Sequence, residues 1–294
     1  MLEQNKPLVS LIIPVKNEGI HIQNTIKSAF QVKSTYLFEI VVVDDGSIDG
    51  CCDFLTPYVG STKLKLIKSK GVGAAKARNI GAENSLGKFL IFCDAHVFFE
   101  DFWMERLLKP IQEGLADGTT PGIADITRPQ YPGYGQTLNE YFGVVWQMEK
   151  NKLLPTAVLP AGCYAVSRDV FFDIGGFDNG FQVWGHEDVE ISIKMWLFGY
   201  TCYVQPAVKI LHVFRTSTPY PVTVKHVFYN MLRTAYNHFN EERIDKCRKL
   251  IGYPNISKIE TSVLSSGALE QRKQYFSRRK YDDDWYMKKF GIPF

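Results

Sequence analysis

Apolar runs that end in acids recur along the first third of the chain and set its expected architecture. Val9-Ser10-Leu11-Ile12-Ile13-Pro14 is a β-rich run stopped by proline, followed by the polar turn Val15 to Glu18 and a helical pattern through about Phe30. Glu39-Ile40-Val41-Val42-Val43-Asp44-Asp45 repeats the theme, and a second helix is expected from Asp49. Leu64 to Ile67, a helix from Gly73 to about Ser85, and Phe89 to Cys93 continue the alternation. Strands that are apolar throughout belong to a parallel sheet covered on both faces, so the pattern predicts an α/β fold with its ligand at the carboxyl ends of the strands.

Glycine and proline between Glu113 and Tyr134 mark a crossover into a second half, with a strand at Gly122 to Ile126. The spacing of Tyr141, Phe142 and Trp146 predicts a helix over 136–150, its aromatics serving as core or as a sugar platform. Ala161 to Val166 is strand-like, Arg168 to Ile174 is a short helical turn, and an apolar helix after Trp184-Gly185-His186-Glu187-Asp188 runs to about Phe198. A strand at Lys209 to Arg215 holds His212 in its apolar body. Helices follow at about Thr223 to Phe239 and Glu241 to Leu250, and the basic, aromatic tail from Gln271 to Phe294 reads as a packed helix with a solvated basic face. These divisions suggest residues 1–239 as the main domain, split into halves 1–112 and 113–239, with 240–294 as a helical extension.

Composition narrows the function classes. A chain of 294 residues with 45% hydrophobic and 22% charged residues is ordinary globular material, and a net charge of +3 is too small to make nucleic acid the main partner. Six cysteines without a Cys-x-x-Cys pair read as reduced thiols. Met1 to Pro7 lacks a signal-peptide core, and no apolar run approaches the roughly 20 residues of a membrane helix. The expected location is cytoplasmic, with peripheral membrane contact through the tail as an alternative.

The chemistry collects where the strands end: Asn17 and Glu18 after the first, Asp44 and Asp45 after the second, Asp94 and His96 after the fourth. On an extended backbone Asp94 and His96 point the same way, as two ligands of one metal ion would, while Ala95 faces away. Taken singly, Asp94 also fits a turn cap, His212 a core histidine, and Glu187 and Asp188 acids favoured at a helix start. The dinucleotide fingerprint is absent from the first strand-to-helix turn, which has no glycine before Gly19, and there is no Walker A motif.

Pro14 with Asn17-Glu18, the Val43 to Ser47 turn, Ala77-Arg78-Asn79, Asp94-Ala95-His96 and Trp184 to Asp188 together resemble nucleotide-sugar glycosyltransferases of the GT-A fold, in the family 2 group. Within it the chain is most similar to the catalytic domain of polypeptide N-acetylgalactosaminyltransferases, which share Asp-x-His, a Trp-Gly-Gly-Glu loop and a His-Val-Phe-Arg segment before a Pro-Tyr loop. The resemblance implies a mixed, mostly parallel sheet flanked by helices. It implies that Asp94, His96 and His212 bind manganese or magnesium, which holds the diphosphate of a UDP-sugar. It also implies that Asp45 or Asp44 accepts from the uracil, that Pro14 and Asn17 line the nucleoside, and that Lys76 or Arg78 touches the nucleotide. Glu18, Ala95, Trp184 and Gly185 belong to the same nucleotide-sugar set, and Arg215 and Tyr220 contact the diphosphate from a mobile loop.

The departures bear on mechanism. Glu187-Asp188 stands where the peptide-modifying enzymes have Glu-Asn and looks like inverting enzymes whose aspartate is the general base, so Asp188 is the expected base and Glu187 the holder of a donor hydroxyl. The expected activity is metal-dependent transfer of a hexosyl or N-acetylhexosaminyl group from a UDP-sugar to a hydroxyl of a peptide, glycan or lipid-linked sugar, with inversion. A retaining transferase, a nucleotidyltransferase and a non-catalytic nucleotide-sugar binding module are the alternatives.

Overall fold

A computed structural model of the chain describes residues 6–58, 61–148, 152–252 and 254–294. The first half is the expected alternation: β1 (Val9–Val15), α1 (His21–Gln31), β2 (Phe38–Asp44), β3 (Leu64–Lys68), α2 (Ala74–Glu83), β4 (Phe89–Cys93), β5 (Val97–Phe98) and α3 (Trp103–Gln112). β1 pairs in parallel with β2 on one side and β4 on the other, and β2 with β3. The chain thus walks outward through β2 and β3 and returns to the opposite side of β1. That reversal opens a crevice beyond the carboxyl ends of β1 and β4.

The second half contributes β6 (Gly118–Asp125), β7 (Gly133–Tyr134), β8 (Gln136–Leu138), β9 (Val144–Trp146), β10 (Leu154–Pro155), β11 (Cys163–Ser167), α4 (Arg168–Asp173), α5 (Glu187–Phe198) and β12 (Cys202–His212). The sheet runs β10-β12-β6-β11-β4-β1-β2-β3, with β5 paired to β12 and β7 to β6. β11 is antiparallel to both β4 and β6, whereas β12 returns parallel to β6. The sheet is therefore mixed and mostly parallel along its main path, as the pattern and the resemblance imply.

Continuous apolar strands are explained by burial on both faces. Ile12, Val41, Val43, Leu90 and Phe92 point into one cluster, together with α2 and α5. Leu11, Ile13, Ile40, Val42 and Ile91 point into the other, beneath α1 and α3. Each such side chain withdrawn from water contributes about 1.5–3 kcal/mol. The stretch after β12 forms α6 (Val224–His238), α7 (Glu241–Ile251), α8 (Asn255–Ser265), α9 (Ala268–Arg278) and α10 (Asp283–Phe290). Its apolar side chains, Tyr286, Ile292 and Phe294 among them, join the first cluster.

Three expectations need correction. Residues 136–150 are not a helix: β8 and β9 form an antiparallel hairpin, turned by Asn139, whose side-chain oxygen accepts from Tyr141 N and Gly143 N, with Phe142 at φ +58°. Residues 149 and 150 of that segment lie outside the described residues. The helix expected from Asp49 is only a short 3₁₀ segment, Asp53–Tyr58, which contains Pro57 and so cannot propagate. The tail is two helices rather than one, and its basic groups are largely engaged: Arg278 pairs with Asp173, and Lys289 lies over the Trp196 and Trp285 rings. No helix among the described residues is long and apolar enough to cross a membrane.

Candidate active site

A cavity of about 630 Å³ opens where β1, β2, β4 and β12 end, roofed by the 214–220 loop and the segment entering α5. Its floor holds three side chains from distant parts of the sequence. One ligand atom each from Asp94, His96 and His212 lie within 4.8 Å of one another. β5 makes this convergence: it pairs antiparallel with β12 so that His212 stands opposite Val97, and Val213 N donates to His96 O at 3.0 Å. The two imidazoles meet edge to face with centroids 4.6 Å apart.

These groups suit a divalent cation. One carboxylate and two imidazoles with phosphate oxygens make a reasonable manganese set. Burial would raise the Asp94 carboxyl, but the hydrogen bond from His212 and the charges of His96, Arg78 and His212 outweigh it and bring it down to about 2. It is thus ionised throughout the physiological range. His96 Nδ1 is engaged with Glu18 Oε2 at 3.1 Å, which leaves Nε2 free to face a cation; a carboxylate behind a metal-binding imidazole fixes the ring. Glu18 also takes Arg215, the residue that starts the roof loop. That loop is further tied by Asn17 Nδ2 donating to Pro219 O and by Lys16 over the Tyr220 ring.

Arg78, 2% exposed, joins the ion site to the α5 entry. Its guanidinium donates to Asp94 Oδ1 at 3.1 Å and to Glu187 Oε1 at 3.2 Å, while Glu187 Oε2 accepts from Gly185 N at 2.7 Å. Removing one partner of a buried ion pair leaves its charges uncompensated. Arg78→Met is therefore expected to destabilise the chain by about 3–5 kcal/mol, measured by urea unfolding. A loss below about 1 kcal/mol, the range of exposed pairs, would mean that this bridge does not hold the two loops together.

Asp188 follows at the first turn of α5, bonded to Ala161 N at 3.2 Å and Val189 N at 2.9 Å. Burial, then the negative charge of Glu187, pushes its carboxyl up to about 7, against the backbone donors and Arg78. A carboxyl that titrates near neutrality and lines a cavity can take a proton from a bound hydroxyl. Trp184, 43% exposed, offers a flat apolar face at the mouth, and Gly185 at φ +104° supplies a backbone conformation that other residues rarely adopt.

The remaining expected residues divide. Pro14, Glu18, Asp45, Ala95, Arg215 and Tyr220 line the cavity. Asp45 already accepts from Ser69 Oγ, Val72 N and Gly73 N, so it shapes the Gly71 to Gly73 turn as well. Asn17, Asp44 and Lys76 lie outside the lining. Asn17 Oδ1 accepts from Ile48 N and Asp44 Oδ1 from Ser47 N, so both brace turns, while Lys76 sits half-buried on α2. Of the aromatics on the hairpin, Phe142 is core at 1% exposure, Tyr141 is 64% exposed, and Trp146 lines the cavity. Among the lining residues to which the sequence reading gave no role is His186, whose ring stacks on Phe142. Its only signal was a bulky side chain between Trp184-Gly185 and two acids.

Comparison with known proteins places this architecture. The family model described as glycosyl transferase family 2 matches residues 10–175, more than half of the chain, and that described as the N-terminal domain of galactosyltransferase matches residues 149–226. Polypeptide N-acetylgalactosaminyltransferase 11 of Xenopus tropicalis is 28% identical over 260 residues, covering 80% of this chain and 43% of its own length. N-acetylgalactosaminyltransferase 7 of Drosophila melanogaster is 31% identical over 240 residues, covering 73% and 40%. The chain thus spans about two fifths of the length of these curated relatives. Among solved structures, that of GalNAc-T7 with UDP, GalNAc and Mn2+ superimposes with a TM-score of 0.74 at 22% identity, covering 98% of this chain and 57% of that one. S. aureus TarS 1-349 follows the same fold with a TM-score of 0.55 at 16% identity, covering 92% and 72%.

Proposed function

The chain belongs to glycosyl transferase family 2, and on that premise we propose that it transfers a hexosyl or N-acetylhexosaminyl group from a UDP-sugar to an acceptor hydroxyl, with Mn2+ or Mg2+ at Asp94, His96 and His212. The observation that carries this reading is the meeting of those three ligand atoms within 4.8 Å on the floor of the cavity. A bound divalent ion supplies Lewis-acid neutralisation of the charge that develops on the departing diphosphate. Arg215 and Lys16, both on the lining, add fixed positive charge on the same side. The GalNAc-T7 structure, which holds UDP, GalNAc and Mn2+, supports the same ligand classes.

In this reading Arg78 holds Asp94 and Glu187 at a constant separation, Glu187 accepts from a donor-sugar hydroxyl, and Asp188 removes the proton of the acceptor hydroxyl. That assignment favours inversion, since a base on the face opposite the leaving group serves direct displacement. Residues 1–112 form the nucleotide-sugar half and 113–239 the acceptor and catalytic half, which also lends His212, Glu187 and Arg215 to the donor, while 240–294 buttress α5 and α6. Acceptors of the peptide class are supported by the peptide-modifying relatives, and glycan or lipid-linked hydroxyls fit the same chemistry. A reducing, cytoplasmic setting is part of this reading, supported by six cysteines that are all buried and unlinked.

The test is a panel of UDP-glucose, UDP-galactose, UDP-GlcNAc and UDP-GalNAc with Mn2+, followed by UDP release. At least one donor is expected to be hydrolysed, and the anomeric configuration of the first product reports the stereochemistry: inversion fits Asp188 as base, retention removes that role. Release of pyrophosphate from UTP and a sugar 1-phosphate, offered in place of the donors, would identify a nucleotidyltransferase, and no turnover with any substrate would leave a binding module.

A further inference from the structure

His186 lines the cavity with a left-handed backbone and a ring nitrogen that has no partner among the described residues. It precedes α5 with φ +64°, a left-handed backbone in which a non-glycine side chain is strained. Phe142, which faces it, also has a positive φ of +58°, and the two rings stack with centroids 5.4 Å apart and planes 14° from parallel. Phe142 is itself backed by Phe239 and Phe294 at 5.2 and 5.0 Å, so the imidazole rests on a rigid aromatic wall. Strain of this kind persists where the surroundings over-determine it, and it collects at ligand sites.

The ring's polar atoms have no use within the described protein. Nδ1 is buried and has no hydrogen-bond partner among the described residues, and the side chain lines the cavity. Burial pushes the imidazole down to about 4, so it is neutral at physiological pH and carries one donor and one acceptor nitrogen. Its neighbours locate it. Glu187, the next residue, is one guanidinium away from Asp94 through Arg78. Asp94 and this segment line the same cavity.

Resting on the transfer reading above, we propose that His186 is a specificity-determining residue for the donor sugar: its ring fills room at the sugar end and offers one nitrogen to a hydroxyl. An imidazole and an acetamido group are of similar bulk, so the ring acts against an N-acetylhexosamine more than against a hexose.

The test is His186→Gly, since the left-handed backbone suits glycine, with a melting curve to show that the variant is folded. UDP-sugar hydrolysis with Mn2+ is measured for the hexose and N-acetylhexosamine donors, beside calorimetric binding of UDP, which has no sugar. The expected result is a shift of at least about tenfold in relative kcat/KM toward the N-acetylhexosamine donors, the size a lost contact of this kind produces, with affinity for UDP unchanged. His186→Asn, which also tolerates the left-handed region, is expected to shift the ratio in the same direction and by less. An unchanged ratio, or a shift toward the hexose donors, overturns the proposal while leaving transfer intact. No hydrolysis by the unaltered chain overturns the transfer reading, and this role with it.

Discussion

Asp188→Asn is expected to lower transfer by about a thousandfold, the scale of general-base catalysis, while UDP binding is retained and the melting temperature at alkaline pH rises. The two effects share a cause. Burial and the adjacent Glu187 charge raise the Asp188 carboxyl to about 7. A carboxyl in this range is basic enough to accept a hydroxyl proton as the hydroxyl attacks, and kcat/KM should climb with pH to a plateau above about 7. For stability the sign is opposite. An acid whose folded-state pKa lies above its ordinary value binds its proton more tightly in the folded chain. Its contribution to stability is fully present below the ordinary value of 3.8 and is lost as pH rises through about 7. Asparagine removes that loss, so the variant should melt several degrees higher than the parent at pH 8 and no higher at pH 4. Thermal melts at the two pH values, with UDP release and UDP calorimetry, check it. Unchanged turnover would remove the base role.

The second large effect belongs to the ion site. Asp94→Asn, His96→Ala and His212→Ala are each expected to weaken Mn2+ binding and to cut UDP-sugar turnover by at least about a hundredfold, since a Lewis acid supplies several kcal/mol to a developing phosphate charge. Asparagine is the milder change at position 94, because Arg78 would otherwise face an empty site. Residues that act as one unit are not additive. The His96 and His212 double variant should therefore be scarcely worse than either single one. Manganese titration by calorimetry and steady-state UDP release give the two readouts, and losses that simply multiply would argue for two independent roles.

What the sequence disclosed and what it withheld follow from the range of the forces involved. β1, β2 and β4 were legible because burial on both faces demands apolar residues at every position, and Ile12 and Leu11 face opposite clusters as that requires. The hairpin of β8 and β9 was not. Tyr141, Phe142 and Trp146 are spaced as a helical stripe, yet they divide among solvent, core and cavity, because a turn with Asn139 and a left-handed Phe142 reverses the chain between them. The 3₁₀ segment misled for a simpler reason, since Pro57 outweighs the flanking pattern.

Among site residues, Asp94 and His96 stood out by their spacing at a strand end taken together with the acids that end the other strands. His212 did not: as the last residue of β12, it meets them only because a two-residue strand, β5, pairs with β12 in one register. A shift of one residue would turn the imidazole to the other face. No local pattern encodes that pairing, and only the family resemblance pointed to it. Asp45 and Asp44 are distinguished by backbone donors that converge from the Val72 and Gly73 turn, which likewise lies beyond local pattern. His186 illustrates the opposite case: motif reading passes over a residue that departs from the motif, and its strained backbone and unpartnered nitrogen are visible only in three dimensions.

In the proposed function Asp94, His96 and His212 jointly hold a cation through which the donor diphosphate is gripped. Calorimetric titration of the unaltered chain with UDP, once in Mn2+ and once in chelator, tests it most directly. UDP affinity is expected to fall at least about a hundredfold when the ion is withdrawn, a loss of about 2.7 kcal/mol or more. Equal affinity in the two buffers would contradict it.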